Sequence, residues 1–220
     1  MMRGVTKEQI IKSVLDASFY KGAAKISLSD VAQGLGIKKA SLYNHIESRE
    51  EMFASTFDYC ATFLEKLKFI PDDIETVAKR YSSETVLKGI MKRRFRMYQK
   101  PPLLQIYFFL QSQKYFADNA ANIVKAQDER LITQITMVLE TLSRSGKLSV
   151  DSSLFCAAAT WFCSGAQELL CAMLIGLRDD ILARQETGDK LFDVPDKLPV
   201  NSEQLEQVSL LVEQFCRLLK

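Results

Sequence analysis

Histidine is almost missing from this chain: His45 is the only one in 220 residues. No carboxylate adjoins it, and no Gly-rich stretch has the spacing of a phosphate-cradling loop, so acid–base, nucleophilic and phosphoryl-transfer chemistry all lack a starting constellation. The chain is therefore expected not to be an enzyme and to need neither metal nor cofactor. Paired cysteines are missing too. Cys60, Cys156, Cys163, Cys171 and Cys216 contain no CxxC pair, and an odd number suits a reducing compartment better than a disulfide framework. They read as buried free thiols. The segment MMRGVTKEQIIKSVLDASF lacks a continuous apolar stretch and a small-residue cleavage site, so nothing in it directs secretion and a cytoplasmic location is expected. Finally, no alternating apolar runs are joined by Asn-Gly or Asp-Gly turns, which removes the usual signature of β-hairpins.

What remains is helical periodicity from end to end, and the predicted fold is all-α. Apolar residues make up 47% and charged residues 25%, enough of the former to bury a core and too few of the latter for disorder. The net charge of +2 is unevenly spread: residues 1–50 carry 8 basic against 5 acidic side chains, and the remainder is slightly acidic. A surplus that small becomes informative only beside a motif.

The motif lies in the first fifty residues. Thr6 with Gln9 forms a capping box that opens a first helix ending near Lys21 and Gly22. Ser27 with Asp30 opens a second, short helix carrying Val31, Ala32 and Leu35. Gly36 permits the left-handed turn that ends it, and a third helix is predicted from Lys38 or Lys39 through Ser41, Leu42 and Ile46. Two short helices around a tight glycine turn make a helix-turn-helix. Ser48 with Glu51 then opens a long helix through Met52, Phe57, Cys60, Phe63 and Leu67, broken by Pro71. The predicted boundary between a small module, residues 1–50, and a larger one, residues 51–220, falls inside this helix. Further helices are predicted at about 72–81, 83–99, 102–116, 120–145, 151–184 and 202–219. The polar segment from Gln185 to Asn201, with Gly188, Pro195 and Pro199, reads as a mobile loop.

In a helix-turn-helix the second helix enters the major groove of DNA, with its early residues toward base edges. Here that helix offers Lys38, Lys39, Ser41, Tyr43, Asn44 and His45, with Leu42 and Ile46 as the stripe that anchors it and Ala40 small enough for close approach. The run SLSDVAQGLGIKKASLYNHIESREEMF resembles helix 2, turn, helix 3 and the start of helix 4 of the TetR family of transcription regulators, with L-Y-x-H intact at Leu42, Tyr43 and His45. The resemblance covers the first fifty residues and the overall length. It implies that Tyr43, His45 and Arg49 contact operator phosphates and that Lys39, Ala40 and Asn44 face bases; with Ser27, Lys38 and Ser41 these make the candidate DNA-binding set. The chain departs from the family pattern at Lys38, where a Ser-like cap is frequent, at Ala23, where an aromatic is usual, and at Ile46, which replaces a frequent aromatic.

The larger module holds an apolar stretch, Leu154 to Gly176, that approaches bilayer-spanning length but contains Gln167 and Glu168. It is expected to be a helix buried nearly all round, outside any membrane, with partners on both sides. With the final helix, which carries Leu205, Val208, Leu211, Val212 and Phe215, it would contribute two helices per subunit to a four-helix homodimer interface spanning about 151–184 and 202–219. The family resemblance implies the same dimer, reading a roughly palindromic double-stranded operator, and a cavity for a small-molecule effector.

Aromatic residues crowd the middle of the chain, and apolar walls with a few polar groups are what such a cavity requires. The candidate ligand set is Phe63, Arg94, Tyr98, Tyr107, Phe108, Trp161, Phe162 and Glu168, for an unknown, mostly apolar ligand. Lys88, Lys92, Arg96 and Lys100 form a solvated stripe on one helix face, but Arg94 falls in the apolar sector between Ile90 and Tyr98. A guanidinium there needs a carboxylate, a carbonyl or an anionic ligand, and Glu168 is the expected partner. A ligand-released repressor is the leading reading. The alternatives are a thiol redox sensor on the same fold, using Cys156, Cys163 and Cys171, and a helical enzyme.

Overall fold

The computed structural model describes residues 5–185 and 202–220, and the expected loop between them lies outside the described residues. Among the described residues all regular secondary structure is helical. Ten α-helices follow in order: α1 Lys7–Lys21, α2 Leu28–Gly34, α3 Lys39–Leu42, α4 Arg49–Glu65, α5 Ile74–Arg80, α6 Ser83–Tyr98, α7 Leu103–Gln113, α8 Asp118–Arg144, α9 Phe155–Gln185 and α10 Ser202–Leu218. Short 3-10 turns at Ala23–Lys25 and Ser152–Leu154 precede α2 and α9.

The described residues fall into two compact units. One is drawn from Met1–Leu67, Lys100–Lys125 and Arg178–Lys197. In it α1 packs on α2, α4 and α7 around Val14, Leu15, Phe19, Met52 and Cys60, all at most 1% exposed. Aromatic rings of α4 and α7 close this core, with Phe57 and Phe109 centroids 5.0 Å apart. The other is drawn from Lys68–Gln99, Ala126–Leu177 and Leu198–Lys220. There α10 lies along α6, Phe162 stacks on Phe215 at 4.4 Å, and Lys88 of α6 pairs with both Glu84 and Glu213.

Two expectations need correction. α4 stops at Glu65, well before Pro71: the N–H of Lys66 turns back to Phe63 and Leu64, and Leu67, Phe69 and Ile70 are buried as a non-helical segment. Burying those three side chains stabilises the chain by several kcal/mol, on a scale of roughly 1.5–3 kcal/mol each, and a continuing helix would not turn all three inward. The second correction concerns α9. By length and composition it is long and apolar enough to cross a bilayer, yet it is not buried all round. One face, with Ala159, Phe162, Ala166, Leu170 and Leu174, is fully buried; the opposite face, with Ala157, Trp161, Ser164, Glu168, Ala172 and Ile175, is exposed in the single chain.

Candidate nucleic-acid interface

Residues 27–46 are set by short-range bonds that the sequence specifies. Ser27 Oγ accepts the Asp30 N–H, and Asp30 Oδ2 accepts the Ser27 N–H at 2.8 Å, so the capping box of α2 is closed in both directions. Lys21, in the last turn of α1, donates to Asp30. That contact, followed by the Ser27 N–H, holds the Asp30 carboxyl below its ordinary range. Gly36 sits at φ 66°, and its N–H bonds Gln33 while the Ile37 N–H reaches Ala32 at 3.0 Å. This paired pattern is a Schellman ending, and it turns the chain sharply into α3.

α1 and α2 meet closely. The buried Ser13 hydroxyl donates to the Val31 carbonyl at 3.0 Å, and a Cβ at Gly34 would lie 2.6 Å from Ser13 Oγ. Only glycine lets the helices approach this far without displacing that serine.

α3 is shorter than predicted. Its helical bonds end at Leu42, after which Asn44 bonds Ser41 and His45 bonds Leu42, the tighter i to i+3 winding. Asn, His and Tyr are weak helix formers, and the next helix claims the chain almost at once: Glu51 accepts the Glu47 N–H while Ser48 accepts the Glu51 N–H. The capping pattern is thus present, but its return bond falls one residue ahead of the cap. Leu42 and Ile46 are buried at 1% and 3% exposed, as the four-residue spacing requires.

With those two as anchors, Lys38, Lys39, Ala40, Ser41, Tyr43, Asn44 and His45 are all exposed. No acidic residue interrupts the row, which carries two ammonium groups, a phenol, an amide and an imidazole. Among the described residues none of these side chains has a hydrogen-bonding or ionic partner. Their polar groups are available to something outside the chain.

Arg49 is not part of that row. Its guanidinium turns inward, donating to the carbonyls of Ile26, Ala23 and Ala24 at 3.2–3.3 Å and lying over the Phe53 ring at 4.5 Å. It staples the turn before α2 to the start of α4. Ser27 is exposed but spends its oxygen on the cap.

Arg178, which no motif marks, does a related task. It donates to the last-turn carbonyls Phe19 (3.0 Å) and Tyr20 (3.4 Å) of α1 and lies 5.9 and 5.8 Å from the ring centroids of Phe19 and Phe108. A cation at a helix C-terminus is favoured by the free carbonyls and the helix dipole.

The eight candidate ligand residues divide between the units. Phe63, Tyr107 and Phe108 belong to the first; Arg94, Tyr98, Trp161, Phe162 and Glu168 belong to the second. A cavity of about 350 Å³ within the first unit, lined by Thr6, Gln9, Lys12, Tyr59, Pro102 and Gln105 among others, contains none of the eight. In the second unit Arg94 and Tyr98 are buried together, with the guanidinium 5.3 Å from the Tyr98 ring centroid. Trp161 is 54% exposed and touches Phe215 rather than a cavity.

Glu168 is exposed and does not meet Arg94; the neighbouring Gln167 does, through its Oε1. One residue is 100° of helix rotation, enough to exchange a half-buried amide for an exposed carboxylate. Of the cysteines, Cys163 is buried and burial pushes its thiol up to about 12, as it does for Cys60. Cys156 is exposed and Cys171 half-buried, so the three cysteines of α9 do not share one accessible face.

No family model matches the chain. Solved structures do match, over nearly its whole length. One, from Mesorhizobium loti MAFF303099 and assigned to the TetR-family transcriptional regulators, superposes with a TM-score of 0.63 at 15% identity, covering 96% of this chain and 95% of its own. A TetR-family regulator from Streptomyces coelicolor gives 0.59 at 14% identity, covering 96% of this chain and 80% of its own. The regulator AibR, solved with isovaleryl coenzyme A and operator DNA, gives 0.59 at 12% identity, covering 92% and 95%. The chain therefore has the all-α fold of the TetR-family transcriptional regulators.

Proposed function

We propose that this chain is a ligand-responsive transcription regulator, a repressor that binds a roughly palindromic operator as a cytoplasmic homodimer and leaves it when a small, mostly apolar ligand binds. Residues 1–50 are the DNA-binding part and residues 51–220 the ligand-binding and dimerisation part. The observation that carries the reading is the exposed, acid-free row from Lys38 to His45, backed by the buried pair Leu42 and Ile46. Lys39, Ala40 and Asn44 face bases, while Tyr43 and His45 hold phosphates and so fix register without reading sequence. Lys38 and Ser41 flank the same surface.

The dimer is supported by the outer face of α9 and α10. Trp161, Ile175, Leu210 and Leu218 are at least half exposed there, and Leu211 of α10 packs over Gly165 of α9, joining the two helices. An apolar face of this kind on two adjacent helices is the surface that a second copy would cover. AibR, with the same fold, was captured with an acyl thioester and operator DNA together, which supports a reading in which one chain answers to both.

Selection of bound sequences from random duplexes, followed by anisotropy titrations over a salt series, tests the proposal. A recovered near-palindrome is expected, bound at least a thousandfold tighter than random DNA. Asn44→Ala should change the base preference at one position, costing about 1–3 kcal/mol there, whereas His45→Ala should weaken all sequences alike. Binding that is purely salt-dependent, with no preferred sequence, would sink the reading.

A further inference from the structure

Among the described residues Arg94 is the one charged side chain in the buried class, at 2% exposed. It lies on α6 one turn after Ile90 and one turn before Tyr98. A guanidinium does not lose its proton at any physiological pH, so this charge stays buried. What surrounds it is neutral. Gln167 accepts one N–H from Nη2, and the ring faces of Tyr98 and Phe69 lie 5.3 and 6.0 Å from the guanidinium carbon. Among the described residues the N–H of Nε and the pair on Nη1 have no hydrogen-bond acceptor, the Tyr98 hydroxyl is a further neutral neighbour of the guanidinium, and no carboxylate pairs with it. Asp128 is an exposed acidic residue whose field reaches Tyr98 and Cys163.

A purely structural arginine would be expected to have its donors matched, because a charge left without a counterion in the interior is among the most costly features a fold can carry. Groups held in that condition are a mark of sites built for a ligand. The geometry selects the ligand's chemistry. The Nη2 proton that Gln167 does not take forms, with the N–H of Nε or of Nη1, a parallel pair on a planar cation that fits the two oxygens of a carboxylate, and the adjoining aromatic faces fit an apolar body.

We propose that the effector is an apolar carboxylic acid and that Arg94 binds its carboxylate, with Gln167 positioning the guanidinium. This rests on the reading of the chain as ligand-responsive. It replaces a merely apolar ligand with an anionic head on an apolar tail.

The test uses the full chain, with octanoate, decanoate, benzoate and phenylacetate as probes beside their matched primary alcohols, followed by calorimetry and thermal melting. At least one acid should bind saturably, about tenfold or more tighter than its alcohol. Arg94→Gln should lose that preference while still binding the alcohol within about threefold of the native chain. Without any probe, Arg94→Met should melt no lower than the native chain and as much as a few degrees higher, because a buried unmatched charge has been removed. A lower melting temperature for Arg94→Met, equal binding of acids and alcohols, acid binding that survives Arg94→Gln, or no binding by any acid would each overturn the proposal.

Operator release is read separately. Acids that bind through Arg94 without affecting DNA leave this assignment standing and remove the ligand-released repressor. Alcohols that release DNA where acids do not remove this assignment and leave the repressor.

Discussion

A basic residue at the start of a helix beside the proposed DNA-binding surface can serve the outside or the inside of a protein, and Arg49 serves the inside. Its three carbonyl contacts and its seat on Phe53 hold the turn after α1 against α4. Arg49→Met keeps much of the stem's packing but removes the charged hydrogen bonds, and should destabilise the fold by about 2 kcal/mol in urea denaturation. Its DNA affinity, measured where the variant is fully folded, should keep the native salt slope. A slope reduced by about one with unchanged stability would instead assign Arg49 to a phosphate. Lys39, Tyr43 and His45 differ from Arg49 in just this respect: their side chains are exposed, and among the described residues they have no partner.

Among the helices, the boundaries of α1, α2 and α6 were readable because their signals are local. Thr6 with Gln9, Ser27 with Asp30, and Ser82 with Thr85 act over three residues, so the sequence order nearly fixes the geometry. Gly36 belongs with them. At φ 66° and with open space around its would-be Cβ, Gly36→Ala should cost about 1 kcal/mol through backbone strain alone, measurable as a lowered urea midpoint at unchanged slope. A loss of several kcal/mol would mean that packing, not strain, fixes this position.

What could not be read depends on residues far apart in the chain. Arg178 meets Phe19 across 159 positions and Arg94 meets Gln167 across 73. For α9 the difficulty is physical: a helix apolar on every side has no periodicity to show which face turns inward, so choosing Glu168 over Gln167 was a choice the pattern could not inform. The row on α3 was readable because Leu42 and Ile46 mark the inner face of a short amphipathic element.

For the whole molecule, the question is what covers α9 and α10. Trp161→Arg replaces the exposed indole with a cation on a face that otherwise holds small residues, aliphatic side chains and the Glu168 carboxylate. It should leave the isolated chain folded and convert the dimer to monomer in sedimentation at micromolar concentration, with operator affinity falling by about a hundredfold or more because the second half-site no longer comes with the first. A monomeric native chain, or an unaltered dimer in Trp161→Arg, would remove α9 from the interface.

On the proposed homodimer, a face that pairs with its own copy also sets how defects are inherited. A chain damaged only in the row from Lys38 to His45 would still find partners, and each intact subunit it captured would be left with half an operator grip. A chain damaged only at Trp161 would capture nobody. Lesions in the reading surface should therefore be dominant over an intact gene, and lesions in the outer face of α9 recessive.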